Sequence, residues 1–226
     1  MKHSNLALLS YLATCAKEGK SIPSISQLSD ELGLSTSAIR EQLEVARQLE
    51  VVEVKTKTGI QTSSFSVTPA ICLATRYGLD LDPDLIWEIL SVRQHLELAY
   101  WQEAVVHLTR KDADHLADII ENALKKINSN PSVIPLDEHK EFHLAIYRPL
   151  NNCFLNSVLE AYWEVNQNFE YSLYTDKASL ENVWTYHRKI YQAIATRDYH
   201  LGYQALITHF EIVRTKSKPE LKQRFE

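Results

Sequence analysis

The stretch IPSISQLSDELGLSTSAIR, residues 22–40, decides the reading of this chain. Pro23 blocks a helix before it, and Ser24 followed by Gln27 has capping-box spacing, so a helix is predicted over 25–32. Gly33 supplies a tight turn. Ser35 can cap a second helix over 36–49, with Ile39, Leu43 and Ala46 facing inward. Two helices joined by a short Gly-containing turn form a helix-turn-helix. Val51, Val52 and Val54 then favour a strand, 55–59 a turn, and 60–62 a second strand. Upstream, Leu8, Leu12 and Ala16 fall on one face of a helix over 5–16, with Leu9 beside them. Residues 1–66 therefore read as a winged helix-turn-helix. In such a module the second helix presents its N-terminal polar residues to base edges. Here those are Ser35, Thr36, Ser37 and Arg40, with Lys55 and Lys57 at the wing tip for phosphates. Ser24 and Gln27, where the first helix of the pair begins, complete the expected DNA-facing set.

Composition sets bounds around that reading. The 226 residues are comfortable for two domains. Apolar residues make up 45% and charged residues 23%, which excludes wholesale disorder. A net charge of −5 disfavours a nonspecific nucleic-acid coater. Split by region, 1–66 hold seven Lys/Arg and seven Asp/Glu, so the acidic excess lies in 67–226. A neutral DNA-binding half offers few phosphate contacts per copy. Useful affinity then needs two copies on a two-fold-related site, hence a homodimer. Cys15, Cys72 and Cys153 are too few and too scattered for a disulfide framework or a CxxC zinc site. No P-loop, GxGxxG or GxSxG is present. No apolar run is long enough for a membrane span, and the opening residues read as a helix rather than a signal peptide, so a cytoplasmic location is expected.

Residues 67–83 contain Pro69, Gly78 and Pro83 and several acids, and read as a linker with at most a helical turn inside. Beyond it, 84–226 read as an all-α bundle of about six helices. Ile89, Val92, Leu96 and Ala99 mark one face of the first, over 85–108. Others are expected over 112–127, 137–147 and on to about 174. The final stretch, 180–215, is split at Thr196-Arg197-Asp198. His139 and His143 are i,i+4 on one helix, so both leave the same face. His187 and His209 lie on later helices. Bundles build metal sites from facing helices, and four imidazoles suit a transition metal, Zn or Ni foremost. His3, His95, His107, His115 and His200 show no such arrangement.

These residues resemble the GntR family of bacterial transcription regulators, in the FadR-like branch with a C-terminal FCD domain. Ile22-Pro23-Ser24, Leu28-Ser29, Leu32-Gly33, Leu34-Ser35 and Ile39-Arg40-Glu41 are similar to the family's helix-turn-helix line, and Val52-Glu53-Val54 with Gly59 to its wing. Val92-Arg93 with Leu96-Glu97, Phe142-His143 with Asn152, His187 with Ala193-Ile194, and Asp198 with His209 are similar to its ligand-binding core. The resemblance implies a metal site of one Asp and three His, carried to positions 139, 143, 187 and 209. This chain has His139 where the family usually has Asp, which removes the one fixed negative charge. It also has Ser26 and Thr36 where the family often reads DNA with Arg, leaving Arg40. The resemblance further implies an effector pocket beside the metal, near Arg93. That residue either clamps a carboxylate bidentately or forms a helix-surface salt bridge.

The reading that follows is a ligand-responsive, DNA-binding regulator rather than an enzyme. It is a repressor, with a metal-containing pocket for a small organic anion. Two alternatives stand beside it. A metalloenzyme would need a general base such as Glu141, though HKEFH is not HExxH. A metal-free regulator would line its pocket with residues such as Trp163 and Tyr171 and use the histidines directly on the ligand.

Overall fold

The computed structural model describes residues 7–55, 59–173 and 177–215, without the side chains of 167–173 and 213–215. The chain divides into two units, Met1–Leu73 and Ala74–Glu226.

In the first unit, α1 (Ala7–Glu18), α2 (Ile25–Leu32) and α3 (Thr36–Gln48) precede a hairpin of β1 (Val52–Lys55) and β2 (Gly59–Thr62). The caps form as the spacing predicts. Ser24 Oγ accepts from the Gln27 amide at 3.4 Å, and Gln27 Oε1 accepts from the Ser24 amide at 3.0 Å. Gly33, at φ 64°, ends α2 in the left-handed region that favours glycine. Ser35 Oγ accepts from the Ala38 amide at 3.2 Å and starts α3. Leu8, Leu12, Leu28, Ile39, Leu43, Ala46 and Val52 form the core. In α1 the expected Ala16 is exposed, and Cys15 is buried in its place. The antiparallel hairpin pairs Val52 with Thr62 and Lys55 with Gly59.

The stretch expected to be a linker is mostly helix: α4 spans Thr68–Leu81, and the boundary between the units falls within it. Pro69 sits in its first turn, where the missing N–H removes no helical bond. Gly78 lies near its end because a Cβ there would come within 2.6 Å of Leu85 Cδ2. What reads as a breaker is a site of close approach.

The second unit continues with six helices: α5 (Leu85–His107), α6 (Arg110–Ile127), α7 (Leu136–Tyr147), α8 (Cys153–Leu173), α9 (Lys177–Thr196) and α10 (Tyr199–Thr215). α9 packs along α10 and against α6, and α7 lies among α5, α6 and α8. The α5 face differs from the expected one. Its interior stripe is Ile86, Leu90, Arg93, Glu97, Trp101 and Ala104, while Val92 is 54% exposed. The reason is physical: two of the inward positions carry charges, so apolar periodicity points to the neighbouring stripe. The α9–α10 break falls where the polar run places it. Arg197 takes φ 59°, and Asp198 Oδ1 accepts from the Leu201 amide at 3.0 Å. Gly202 then lets α10 approach Trp101, whose Cζ2 would lie 2.6 Å from a Cβ there. No helix among the described residues is long and apolar enough to cross a membrane.

Candidate metal and effector site

Three helices bring the four histidines together. His139 and His143 project from one face of α7, His187 from α9 and His209 from α10. All four are buried, none more than 2% exposed. One ring nitrogen from each can be chosen so that all lie within 4.8 Å of one another. A tetrahedral Zn site with Zn–N near 2.0–2.1 Å needs nitrogens about 3.3 Å apart. The His143 Nε2 to His187 Nε2 separation is already 3.2 Å.

The partners of these rings fix which nitrogens carry protons. His143 Nδ1 donates to Glu97 Oε2 at 2.7 Å, and His187 Nδ1 donates to the Val183 carbonyl at 3.0 Å. Neither acceptor has a proton to give. Each neutral ring therefore keeps its lone pair on Nε2, and those two lone pairs face each other. Both rings stay neutral because burial, first of all, pushes their pKa well below the usual histidine value. For His143, Arg93 and the other histidines add to the effect; for His187, His209 and His139 do. Two buried acceptors aimed at each other are unfavourable alone, and a cation between them resolves the conflict. The donor set thus fits a divalent metal that accepts imidazole nitrogen.

α5 supplies the support. Arg93 Nε donates to Glu97 Oε1 at 2.6 Å, with the two side chains 2% and 0% exposed. Glu97 bridges Arg93 and His143, the arrangement by which a carboxylate orients a metal-ligating imidazole. Tyr147 Oη donates to the Glu97 carbonyl at 2.8 Å. The Arg93 guanidinium lies over the rings of Trp163 (4.2 Å) and Tyr162 (4.5 Å). Arg93 is thus an interior residue, not a helix-surface salt bridge. Sequence reasoning treated Glu97 only as part of a resemblance. Its signal in the sequence is an Arg–Glu pair at i,i+4, on a helical stripe whose other members, such as Leu90 and Trp101, are apolar. Trp163 joins the histidines to a cavity of about 230 Å3, walled also by Val133, Leu136, Asp137 and two lysines, Lys126 and Lys140. Its ring centroid lies 4.8 Å from that of His139.

Other candidates are held elsewhere. Glu141 faces Arg148 and His115. Asp137 is exposed. His95 and His107 each bond a backbone carbonyl one turn back. In the first unit, Ser35, Thr36, Ser37 and Arg40 are exposed at the start of α3. Ser24 and Gln27 are exposed too, but bond each other in the cap. Lys55 pairs with Glu53 at 2.8 Å. Lys57 and the Tyr171 side chain lie outside the described residues.

Residues 88–212 match the FCD domain. The Uxu operon regulator of Haemophilus influenzae is 26% identical over 204 residues, 88% of this chain and 74% of that protein. The Bacillus subtilis regulator LutR is 25% identical, over 85% of this chain and 89% of its own. The Glc operon transcriptional activator of Escherichia coli is 26% identical, over 88% and 80%. Among solved structures, Streptococcus agalactiae GntR superposes with a TM-score of 0.65 at 18% identity, covering 92% of this chain and 97% of that one, which shows a shared fold. These relatives are regulators of transcription, and that sets the metalloenzyme reading aside. With its winged helix-turn-helix and its FCD domain, the chain belongs to the FadR-like branch of the GntR family of transcription regulators.

Proposed function

We propose that the chain is a cytoplasmic, homodimeric repressor whose operator affinity is set by a small organic anion bound beside a metal. The observation that carries this is the pair of buried Nε2 lone pairs 3.2 Å apart, completed by His139 and His209. His139, His143, His187 and His209 would hold a divalent ion, Zn or Ni foremost. With four neutral ligands the ion keeps its full +2 charge and supplies attraction for an anion. Arg93 is the second anion-facing group. Its guanidinium, held through Nε by Glu97, would add a second positive charge beside the anion. The cavity of about 230 Å3 beside Trp163 suits a small acid rather than a drug-sized ligand.

The DNA end rests on Ser35, Thr36, Ser37 and Arg40 for base edges, Lys55 and Lys57 for phosphates, and Ser24 and Gln27 at the start of α2. Their few cations favour paired heads on a two-fold-related operator. Effector and DNA then affect each other's affinity by the same factor.

The test is DNA binding by the full chain to the region upstream of its own gene, with zinc, with a chelator, and with a panel of small acids. Specific binding released by one acid only in the presence of metal is expected. Absence of specific binding with and without metal overturns the regulator reading. Tightening by the acid overturns the repressor assignment. Release by the acid in chelator overturns the metal's part and favours histidines that bind the ligand directly.

A further inference from the structure

α8 presents one buried face to the site, and its polar atoms are not all accounted for by the protein. Tyr162 and Trp163 lie under the Arg93 guanidinium, and Trp163 also meets the edge of His139. Asn166 follows one turn later, three residues after Trp163 and four after Tyr162, so it shares their face. It is 0% exposed. Neither Asn166 Oδ1 nor Nδ2 has a hydrogen-bond partner, and neither does Trp163 Nε1. A buried amide with both its donor and its acceptor unmatched is rare in a folded protein and points to a missing partner. Nearby, Glu97 takes bonds from both Arg93 and His143 and leaves the α8 amide untouched.

We infer that Asn166, with Trp163 Nε1 beside it, is the specificity-determining subsite for a hydroxyl on the effector, separate from the carboxylate that the metal and Arg93 would take. The chemistry selects that group. The amide offers an acceptor oxygen and two N–H donors, and the indole offers one N–H donor. A hydroxyl meets groups of both kinds because it donates one hydrogen bond and accepts two. A second carboxylate cannot donate to Oδ1, and a methyl matches nothing. The effector class is therefore a short acid with a hydroxyl within reach of its carboxylate. This rests on the effector site proposed above, though not on the metal itself.

The test compares acids that differ by one hydroxyl: glycolate with acetate, lactate with propionate, malate with succinate. Binding to the full chain is measured by calorimetry, with zinc content determined on the same samples. A site built to bond a hydroxyl rejects the analogue that lacks it, so the wild type should prefer the hydroxylated member of at least one pair by about tenfold or more. Asn166→Leu, which keeps the size and removes both polar atoms, should collapse that ratio to within about twofold. Trp163→Phe keeps an aromatic ring, loses the N–H, and should reduce the ratio by several fold; it decides the matter if the Leu variant does not fold. A wild type that binds acids without preferring any hydroxylated member, or that binds none, overturns the proposal. So does a ratio unchanged in the folded variants. A zinc-free wild type that still prefers the hydroxylated acid overturns the metal reading and keeps this one. A zinc-loaded wild type indifferent to the hydroxyl does the reverse.

Discussion

Replacing Glu97 by Gln separates two roles that the structure gives one side chain. Glu97 is 0% exposed, and its Oε1 accepts from Arg93 at 2.6 Å while its Oε2 accepts from His143 at 2.7 Å. The first role is structural. Gln keeps the shape but leaves the 2%-exposed Arg93 as a buried cation without its counter-charge. Breaking one side of a buried ion pair costs about 3–5 kcal/mol. At roughly 2–4 °C per kcal/mol for a unit of this size, the melting temperature should fall by about 6–20 °C. The second role is orientation of a ligand. Losing a carboxylate behind a metal-bound imidazole typically costs about 10–100-fold in metal affinity. The double variant Arg93→Met/Glu97→Gln removes both charges and should regain most of the melting temperature. It should not regain zinc affinity, because His143 still lacks its carboxylate. The assays are thermal denaturation in chelator and zinc titration of all three proteins. An E97Q melting temperature within about 1–2 °C of wild type would refute the buried pair. Recovery of zinc affinity in the double variant would refute the orienting role.

Four further outcomes are expected. The histidine pKa values lowered by burial mean that the unfolded chain binds protons the folded one refuses, so stability rises with pH below about 6.5 and is lost as pH falls. With His143 and His187 both neutral when folded, the slope approaches about 2.7 kcal/mol per pH unit below pH 6, read from denaturant midpoints of metal-free protein between pH 5 and 8. A flat profile would contradict their burial as neutral rings. Gly202→Ala puts a Cβ 2.6 Å from Trp101 Cζ2 and 3.2 Å from Ala193 Cβ, and overpacking outweighs the better helix propensity, for a net loss of about 1–2 kcal/mol. Equal stability by urea denaturation would show that α10 does not need that approach. Arg40→Ala should weaken operator binding by about 1–3 kcal/mol in fluorescence anisotropy while leaving zinc uptake unaltered. Arg197→Gly relieves a left-handed φ of 59° at the α9–α10 corner and should raise stability by up to about 1 kcal/mol.

Much of the DNA-binding unit was legible because its determinants are local. Ser24, Gln27, Gly33 and Ser35 act within a few residues of themselves, and the core positions of α2 and α3 follow a plain amphipathic period. The bundle was legible in its helix count and breaks, even at Arg197, where neither proline nor glycine marks the corner. It was not legible where interior residues are polar. On α5 the buried stripe runs through Arg93 and Glu97, so apolar periodicity favoured Val92 and Ala99, which face outward. α4 was hidden because Pro69 and Gly78 look like breakers when their neighbours are unknown. Of the candidate site, the histidine quartet came from an i,i+4 pair and a family resemblance. Glu97 and Asn166 lie on helices separate from the histidines, and only tertiary packing reveals their neighbours.

The proposed regulation depends on the buried histidine quartet being a metal site. Elemental analysis of the full chain, purified without a histidine tag and dialysed against zinc, measures this most directly, with His187→Ala in parallel. Close to one zinc per wild-type chain and a large loss of zinc in the variant are expected, because a metal site is defined by its ligand count and occupancy. Less than about 0.2 metal per wild-type chain, or full occupancy retained without His187, would contradict the metal site.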